Sequence, residues 1–182
     1  MKKVYYIHGF NSGIKPNKIN ELSKILNENI IGLEFDSSIS MTKNLQKLIK
    51  CIDEKDENIL IGTSLGGYYS NVLSLYLNCK SIITNPSLKP FYTLNRYIGT
   101  NINFVSNIEY DFTNEILNSY NIEFPINKSS LILLSENDEL LNSRQTFETY
   151  RDIVTVVMFE GGEHRFEFYN DSKKIINNFI NE

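Results

Sequence analysis

The chain has 182 residues, a formal net charge of -4 at pH 7, and 41 % hydrophobic residues that include 11 Tyr and 11 Phe. This length is expected to form one domain over residues 1–182, and the composition supplies a core, which excludes a disordered chain. The charges are mixed along the sequence without a basic stripe, so nucleic acid is not expected as a partner.

The cysteines and the N-terminal residues bear on the compartment. Cys51 and Cys79 lack the spacing of a metal site and are expected to be reduced thiols. The apolar run after Lys2 and Lys3 is shorter than the roughly 7–15 residues of a secretory signal, and no stretch approaches the roughly 18 apolar residues of a membrane span. These features predict a cytoplasmic protein without a membrane span.

Short apolar runs alternate with helical patterns along the chain. The runs have the length of buried strands and cover residues 4–7, 30–35, 59–61, 82–84, 131–134 and 154–159. Apolar residues with helical spacing lie between them, at 19–30, 45–52, 68–77 and 143–150, and again at 175–180. This order predicts the α/β class, with a compact, mainly parallel sheet of about six strands flanked by helices.

One long interruption, residues 87–128, separates the fourth and fifth predicted strands and is rich in aromatic residues. Connections of this length usually carry structure of their own or a function. We expect a small helical cap over the site, the alternative being a segment that only covers a face of the sheet. Asn is abundant throughout the chain, and we interpret this as a compositional bias.

The main chemical signal is the pattern G-x-S-x-G at residues 62–66, formed by Gly62, Ser64 and Gly66. It stands between a predicted strand and a predicted helix, the context that a nucleophile elbow requires. The turn is so tight that side chains at the two glycines would clash with the neighbouring elements. Ser64 is therefore the predicted nucleophile of an α/β-hydrolase fold.

A serine hydroxyl needs a base, and the chain has only two histidines. In α/β hydrolases the order is Ser, then the acid, then His, and only His164 follows Ser64. Asp138 is the predicted acid because its short side chain on a tight turn fixes the geometry best, and Glu136 is the alternative. All three positions follow predicted strands at their carboxyl ends, where open parallel sheets bind ligands.

The oxyanion of an acyl-transfer reaction is stabilised by backbone N–H groups. We expect one from Leu65, the residue after the nucleophile, and one from Phe10 in the loop after the first strand. His8 and Gly9 would support this loop. The sequence thus predicts a serine esterase that needs no metal and no organic cofactor.

The expected substrate is a small-molecule acyl ester or thioester. Phe104 and Tyr110 of the cap segment are expected to line the substrate pocket and to set the acyl-chain length. An acyl-CoA thioesterase or an acyltransferase with the same triad is the alternative enzyme, and a non-catalytic binding protein of the hydrolase fold is the alternative from another class.

Five segments together resemble the YqiA-like family of small bacterial esterases, at residues 6–12, 62–69, 85–90, 137–141 and 161–166. The resemblance runs from the first strand to the last helix. It implies a compact α/β hydrolase that cleaves acyl esters, with Ser64, Asp138 and His164 as nucleophile, acid and base. It therefore favours Asp138 over Glu136.

Overall fold

The computed structural model of the protein describes residues 2–181. The strands are β1 (Lys2–Ile7), β2 (Ile30–Leu33), β3 (Glu57–Thr63), β4 (Lys80–Thr84), β5 (Gly99–Ile102), β6 (Glu109–Phe112), β7 (Ser130–Ser135) and β8 (Thr155–Phe159). Six of them form a sheet in the order β2-β1-β3-β4-β7-β8, in which every neighbouring pair is parallel. The predicted parallel sheet of six strands is confirmed.

Helices cover both faces of this sheet. They are α1 (Pro16–Leu26), α2 (Met41–Lys50), α3 (Leu65–Leu77), α4 (Pro90–Thr93), α5 (Asn114–Asn118), α6 (Ser143–Tyr150) and α7 (Lys173–Asn181). Alternating residues of the strands point to opposite faces of the sheet and form two cores. One core lies under α1 and α7, and the other lies under α2 and α3. Helix α6 packs on β7 and β8. Within residues 2–181, none of the helices has both the length and the apolar character needed to cross a bilayer.

The strand order of the sheet changes direction at β1. The chain places β2 on one side of β1, then β3, β4, β7 and β8 in turn on the other side. Such a switch point opens a crevice at the carboxyl ends of the two central strands, where ligands bind in open α/β sheets. The loop after β1 and the turn between β3 and α3 therefore meet at this crevice.

The turn between β3 and α3 is packed backbone against backbone. A Cβ atom at Gly62 would lie 2.1 Å from the Gly66 carbonyl oxygen, and one at Gly66 would lie 2.2 Å from the Ile7 carbonyl oxygen. These distances are far below van der Waals contact, so both positions admit only glycine. The close approach brings the first turn of α3 directly against the end of β1.

The long connection, residues 87–128, combines helical turns with a hairpin. It contains α4, a short 3₁₀ helix (Asn95–Tyr97), the antiparallel pair β5–β6, and α5. Helical elements were expected here, whereas the hairpin was not. Its strands are four residues each and mostly exposed, which leaves little periodicity to detect in the sequence. That the segment caps a bound substrate remains a prediction.

The glycine packing predicts a large loss of stability for Gly62→Ala. We expect this substitution to lower the free energy of unfolding by about 3 kcal/mol, because the new Cβ meets backbone that has no room to move. Urea denaturation checks this. Gly13→Ala is the matched control, because its Cβ would make contacts of 3.4 Å only. Equal stability of the two variants would contradict the packing argument.

Candidate active site

Ser64 joins β3 to α3 in a backbone conformation that L-amino acids rarely adopt, with φ 56° and ψ -121°. Hydrogen bonds hold it from both sides. Its N–H donates to the Thr84 carbonyl at 3.0 Å, and its carbonyl accepts from the N–H groups of Gly67 at 2.9 Å and Ser87 at 3.1 Å. The half-buried side chain of Ser64 is thereby presented at the carboxyl edge of the sheet.

Asp138 and His164 form a hydrogen-bonded pair. The His164 Nδ1 lies 3.0 and 2.9 Å from the two carboxylate oxygens of Asp138. The Asp138 side chain is fully buried, and its Oδ1 also accepts from the N–H groups of Leu140 at 2.9 Å and Leu141 at 2.8 Å. Because a carboxylate only accepts, Nδ1 must carry a proton, so the tautomer of the neutral ring has its lone pair on Nε2.

The other two acids of this loop lie elsewhere. Glu136, the alternative partner, is exposed and its carboxylate lies 3.6 Å from a guanidinium nitrogen of Arg144. Glu139 accepts a hydrogen bond from the backbone N–H of His164 at 2.8 Å. The structure therefore brings Asp138 to the ring and Glu139 to the backbone of the same histidine.

Two cavities open at Ser64, and His164 lines both of them. The larger one has a volume of about 300 Å³ and the smaller one about 180 Å³, and Phe10 and Phe104 also line both. Among the described residues, no hydrogen bond joins Ser64 Oγ to the His164 ring. Such bonds are often long in unliganded active sites and tighten when substrate is bound.

Gly9 and Phe10 bring the loop after β1 against Ser64. A Cβ at Gly9 would lie 3.4 Å from the Ser64 Cβ, so this loop touches the serine. In the part of the chain that the structure describes, the N–H groups of Phe10 and Leu65 donate to no protein acceptor. Both amides, the two predicted for the oxyanion, are thus available to a ligand.

His8 holds the peptide that carries the Phe10 N–H. Its ring is buried, stacks on Phe35 at 4.3 Å between centroids, and accepts from the Phe35 N–H through Nε2 at 3.3 Å. Burial lowers the pKa of His8, so the ring is neutral at pH 7. With Nε2 accepting, Nδ1 donates to the Gly9 carbonyl at 2.8 Å. That carbonyl and the Phe10 N–H share one peptide plane, so the bond sets the direction of the N–H.

The hairpin holds the same loop through Asn11. This buried residue has φ 55°, and its Oδ1 accepts a hydrogen bond from the Tyr110 hydroxyl. Its Nδ2 donates to Asn101 Oδ1 at 3.3 Å, its carbonyl accepts from the Phe104 N–H at 2.9 Å, and its N–H donates to Ser37 Oγ at 3.0 Å. Side chains of β5 and β6, and the backbone of the turn between them, therefore fix the loop next to Ser64.

The two aromatic residues predicted for the substrate pocket occupy different places. Phe104 lines both cavities at Ser64 and is 74 % exposed. Tyr110 lies outside both, in a separate cavity beside Ser37, with its hydroxyl directed at Asn11. The structure therefore brings Phe104 to the cavities at Ser64 and leaves Tyr110 outside them, because the hairpin turns the Tyr110 hydroxyl toward the loop after β1. That the two residues set the acyl-chain length remains a prediction.

Asn85 is a residue that the sequence interpretation missed. It is buried, has φ 40°, and its Nδ2 donates to the carbonyls of His164 at 2.9 Å and Glu163 at 3.1 Å, as well as to Ser135 Oγ at 3.1 Å. Its Oδ1 accepts from the Ser135 N–H at 2.7 Å. Asn85 thus ties the end of β4 to the end of β7 and to the His164 loop. The only signal was its place within residues 85–90 of the family resemblance.

Residues 2–181 contain no group of three or more His, Cys, Asp or Glu side chains arranged to hold a metal ion.

Comparison with known proteins assigns the chain to a family. The sequence profile of UPF0227, described as an uncharacterised protein family, matches residues 3–181. The chain belongs to the UPF0227 family. The UPF0227 protein YcfP of Escherichia coli O9:H4 (strain HS) is 26 % identical over 171 residues, which cover 90 % of this chain and 91 % of that protein. These matches confirm the resemblance to the YqiA-like family.

Solved structures share the fold of this UPF0227 protein. Est1E from Butyrivibrio proteoclasticus superposes with a TM-score of 0.72 at 15 % identity, covering 98 % of this chain and 86 % of that one. A monoacylglycerol lipase of Paleococcus ferrophilus gives a TM-score of 0.68 at 15 % identity, covering 97 % and 93 %. The predicted α/β-hydrolase fold is confirmed.

The Asn85 network predicts a stability cost that exceeds backbone strain. Asn85→Ala leaves the carbonyls of Glu163 and His164 without their donor, and we expect the free energy of unfolding to fall by about 2–4 kcal/mol. Asn107→Ala is the matched control, since Asn107 also has positive φ, at 56°, but is exposed. It should cost about 1 kcal/mol from strain alone. Equal losses in urea denaturation would contradict the network.

Proposed function

We propose that this protein is a serine esterase that hydrolyses acyl esters through Ser64, His164 and Asp138. The observation that carries the proposal is the buried Asp138 carboxylate hydrogen-bonded to Nδ1 of a histidine that lines the same two cavities as the strained Ser64. This combination orients a free Nε2 in the neighbourhood of a hydroxyl, which is what a general base for serine requires.

The reaction begins when Ser64 Oγ attacks the ester carbonyl carbon and His164 Nε2 takes the hydroxyl proton. The buried carboxylate of Asp138 stabilises the imidazolium that forms. The N–H groups of Leu65 and Phe10 stabilise the negative charge on the carbonyl oxygen. The tetrahedral intermediate collapses, and the alcohol leaves with the proton from the imidazolium.

The acyl group is then bonded to Ser64 Oγ, and water completes the cycle. His164 Nε2 takes a proton from the water as its oxygen attacks the acyl carbon, and returns it to Ser64 as the acid is released. The charges that develop are met by groups of the chain itself, so the proposed reaction requires no metal and no organic cofactor.

Ser64→Ala tests the nucleophile. We expect kcat for hydrolysis of a phenyl ester to fall by about 10⁴–10⁶, and labelling by a fluorophosphonate probe to disappear, because no oxygen remains to form the acyl-enzyme. Circular dichroism should stay unchanged. The control is Ser129→Ala, an exposed serine before β7, which should keep both activities. Ester hydrolysis that survives in Ser64→Ala would refute the proposal.

Tyr110→Phe tests whether the hairpin positions the oxyanion amide. Without the hydroxyl, the buried Asn11 Oδ1 loses a donor and the loop relaxes. We expect kcat to fall about tenfold with KM unchanged, a smaller loss than the 10²–10³ of deleting an oxyanion donor. Tyr92→Phe, at an exposed tyrosine of α4, is the control. A change in KM alone would instead indicate a pocket role for Tyr110.

A further inference from the structure

The larger cavity at Ser64 has a cationic wall. Lys15, Lys18 and Arg165 line it together with Ser64 and His164, and no Asp or Glu stands among its lining residues. The chain as a whole carries a formal net charge of -4, so this cluster runs against the overall balance. A cavity whose charged wall has one sign attracts ligands of the opposite sign.

Two of the three cations have no ion pair. Within residues 2–181, neither Lys15 nor Arg165 lies within ion-pair distance of a carboxylate. Lys15 directly precedes α1, and Arg165 directly follows the proposed base, His164. Both side chains are exposed and line the cavity, and no direct ion pair with a described carboxylate neutralises either charge.

Lys18 lies deeper. Its side chain is 17 % exposed, its Nζ is 3.2 Å from Glu21 Oε2, and the ammonium sits 4.2 Å from the centroid of the Tyr169 ring. Three charged side chains interact electrostatically with Lys18, namely Glu21, Arg165 and Glu167. An anion that enters the cavity would stabilise this partly buried ammonium, because the attraction between opposite charges is stronger where water is excluded.

The smaller cavity, which Ser64 and His164 also line, has a different wall. Leu94, Leu140 and Leu141 contribute apolar surface there. Its one cation, Arg96, donates to the Leu140 carbonyl at 3.3 Å and packs against a tyrosine ring, so its guanidinium is partly occupied by the protein. An ester bonded to Ser64 would thus have both a cation-lined cavity and a leucine-lined cavity within reach.

We propose that the substrate is an ester with a carboxylate or phosphate on one side of the ester bond and a short apolar group on the other. The anion binds Lys15, Lys18 and Arg165, and the apolar group occupies the leucine-lined cavity. This inference rests on the proposed esterase function. It adds a substrate class, an anion-bearing ester, that the triad by itself does not specify.

Matched esters test the preference. In the acyl arm, monophenyl glutarate is compared with phenyl pentanoate. In the alcohol arm, 4-acetoxybenzoate and 4-acetoxyphenyl phosphate are compared with methyl 4-acetoxybenzoate. We expect kcat/KM for a charged member of one arm to exceed that of its neutral partner at least about tenfold at low salt, and the ratio to shrink as salt screens the attraction. The two charged alcohols distinguish carboxylate from phosphate.

The double variant Lys15→Gln/Arg165→Gln should reduce that ratio to about twofold or less. Lys43→Gln/Lys47→Gln on the exposed side of α2 removes the same charge and should leave the ratio unchanged. A wild-type protein that hydrolyses neutral esters through Ser64 without a preference for any charged partner would overturn the inference and leave the esterase proposal standing. A preference that persists in Lys15→Gln/Arg165→Gln would also overturn it.

Binding separates the anion site from turnover. Titration calorimetry of glutarate and of inorganic phosphate into Ser64→Ala protein should give binding that Lys15→Gln/Arg165→Gln weakens at least about tenfold. If no ester is hydrolysed and no probe labels Ser64, the esterase proposal is refuted, and the calorimetry still tests whether the cavity binds an anion. Absence of binding to Ser64→Ala would overturn the inference.

Discussion

The contact between backbones at the end of β3 is the constraint on which the site depends. Gly62 and Gly66 let the first turn of α3 approach β1 so closely that no Cβ fits between them. This approach forces Ser64 into its unusual φ and ψ and places it against Gly9 of the loop after β1. Ser64 and the loop after β1 are thus brought together by packing of the main chain, before any side-chain bond is made.

Polar side chains then fix the loops that the sheet brings to one edge. Asn85 joins the ends of β4 and β7 to the backbone of His164, and Asn11 joins the loop after β1 to the hairpin. Both residues have positive φ and are buried. Asn combines tolerance of this conformation with a donor and an acceptor, which no glycine supplies. The abundance of Asn, which we interpreted from the composition as a bias, therefore includes two residues with a structural role at the site.

Electrostatics divides the space around Ser64. The Asp138 carboxylate is buried on the far side of the His164 ring, where two backbone N–H groups and the imidazole satisfy it. The cations face the larger cavity instead and stay accessible to a ligand. The anionic member of the proposed triad and the cationic wall are therefore separated by the histidine. A negatively charged substrate would meet attraction in the cavity while the carboxylate that repels it is shielded.

The sequence determined the class of fold and the chain order of the candidate residues. Each of the six runs became a strand of the sheet, because length and β-branched content are local properties. Ser64 and His164 could be singled out because the elbow pattern is local and histidines are scarce. Asp138 was preferred to Glu136 on side-chain length and on the family resemblance, and the folded loop shows the hydrogen bonds of Asp138 to the His164 ring.

The tertiary structure alone decided the hairpin, the position of Tyr110, the network of Asn85 and the charge of the cavity. The hairpin strands are short and mostly exposed, whereas each of the other three features depends on residues far apart in the chain. The Tyr110 hydroxyl meets Asn11 across 99 positions, and the Asn85 amide meets the His164 carbonyl across 79. No periodicity encodes such pairs, because they arise when loops from different strands converge at one edge of the sheet. The local sequence pattern determines which segments become strands, and the packing of these strands determines which side chains surround Ser64.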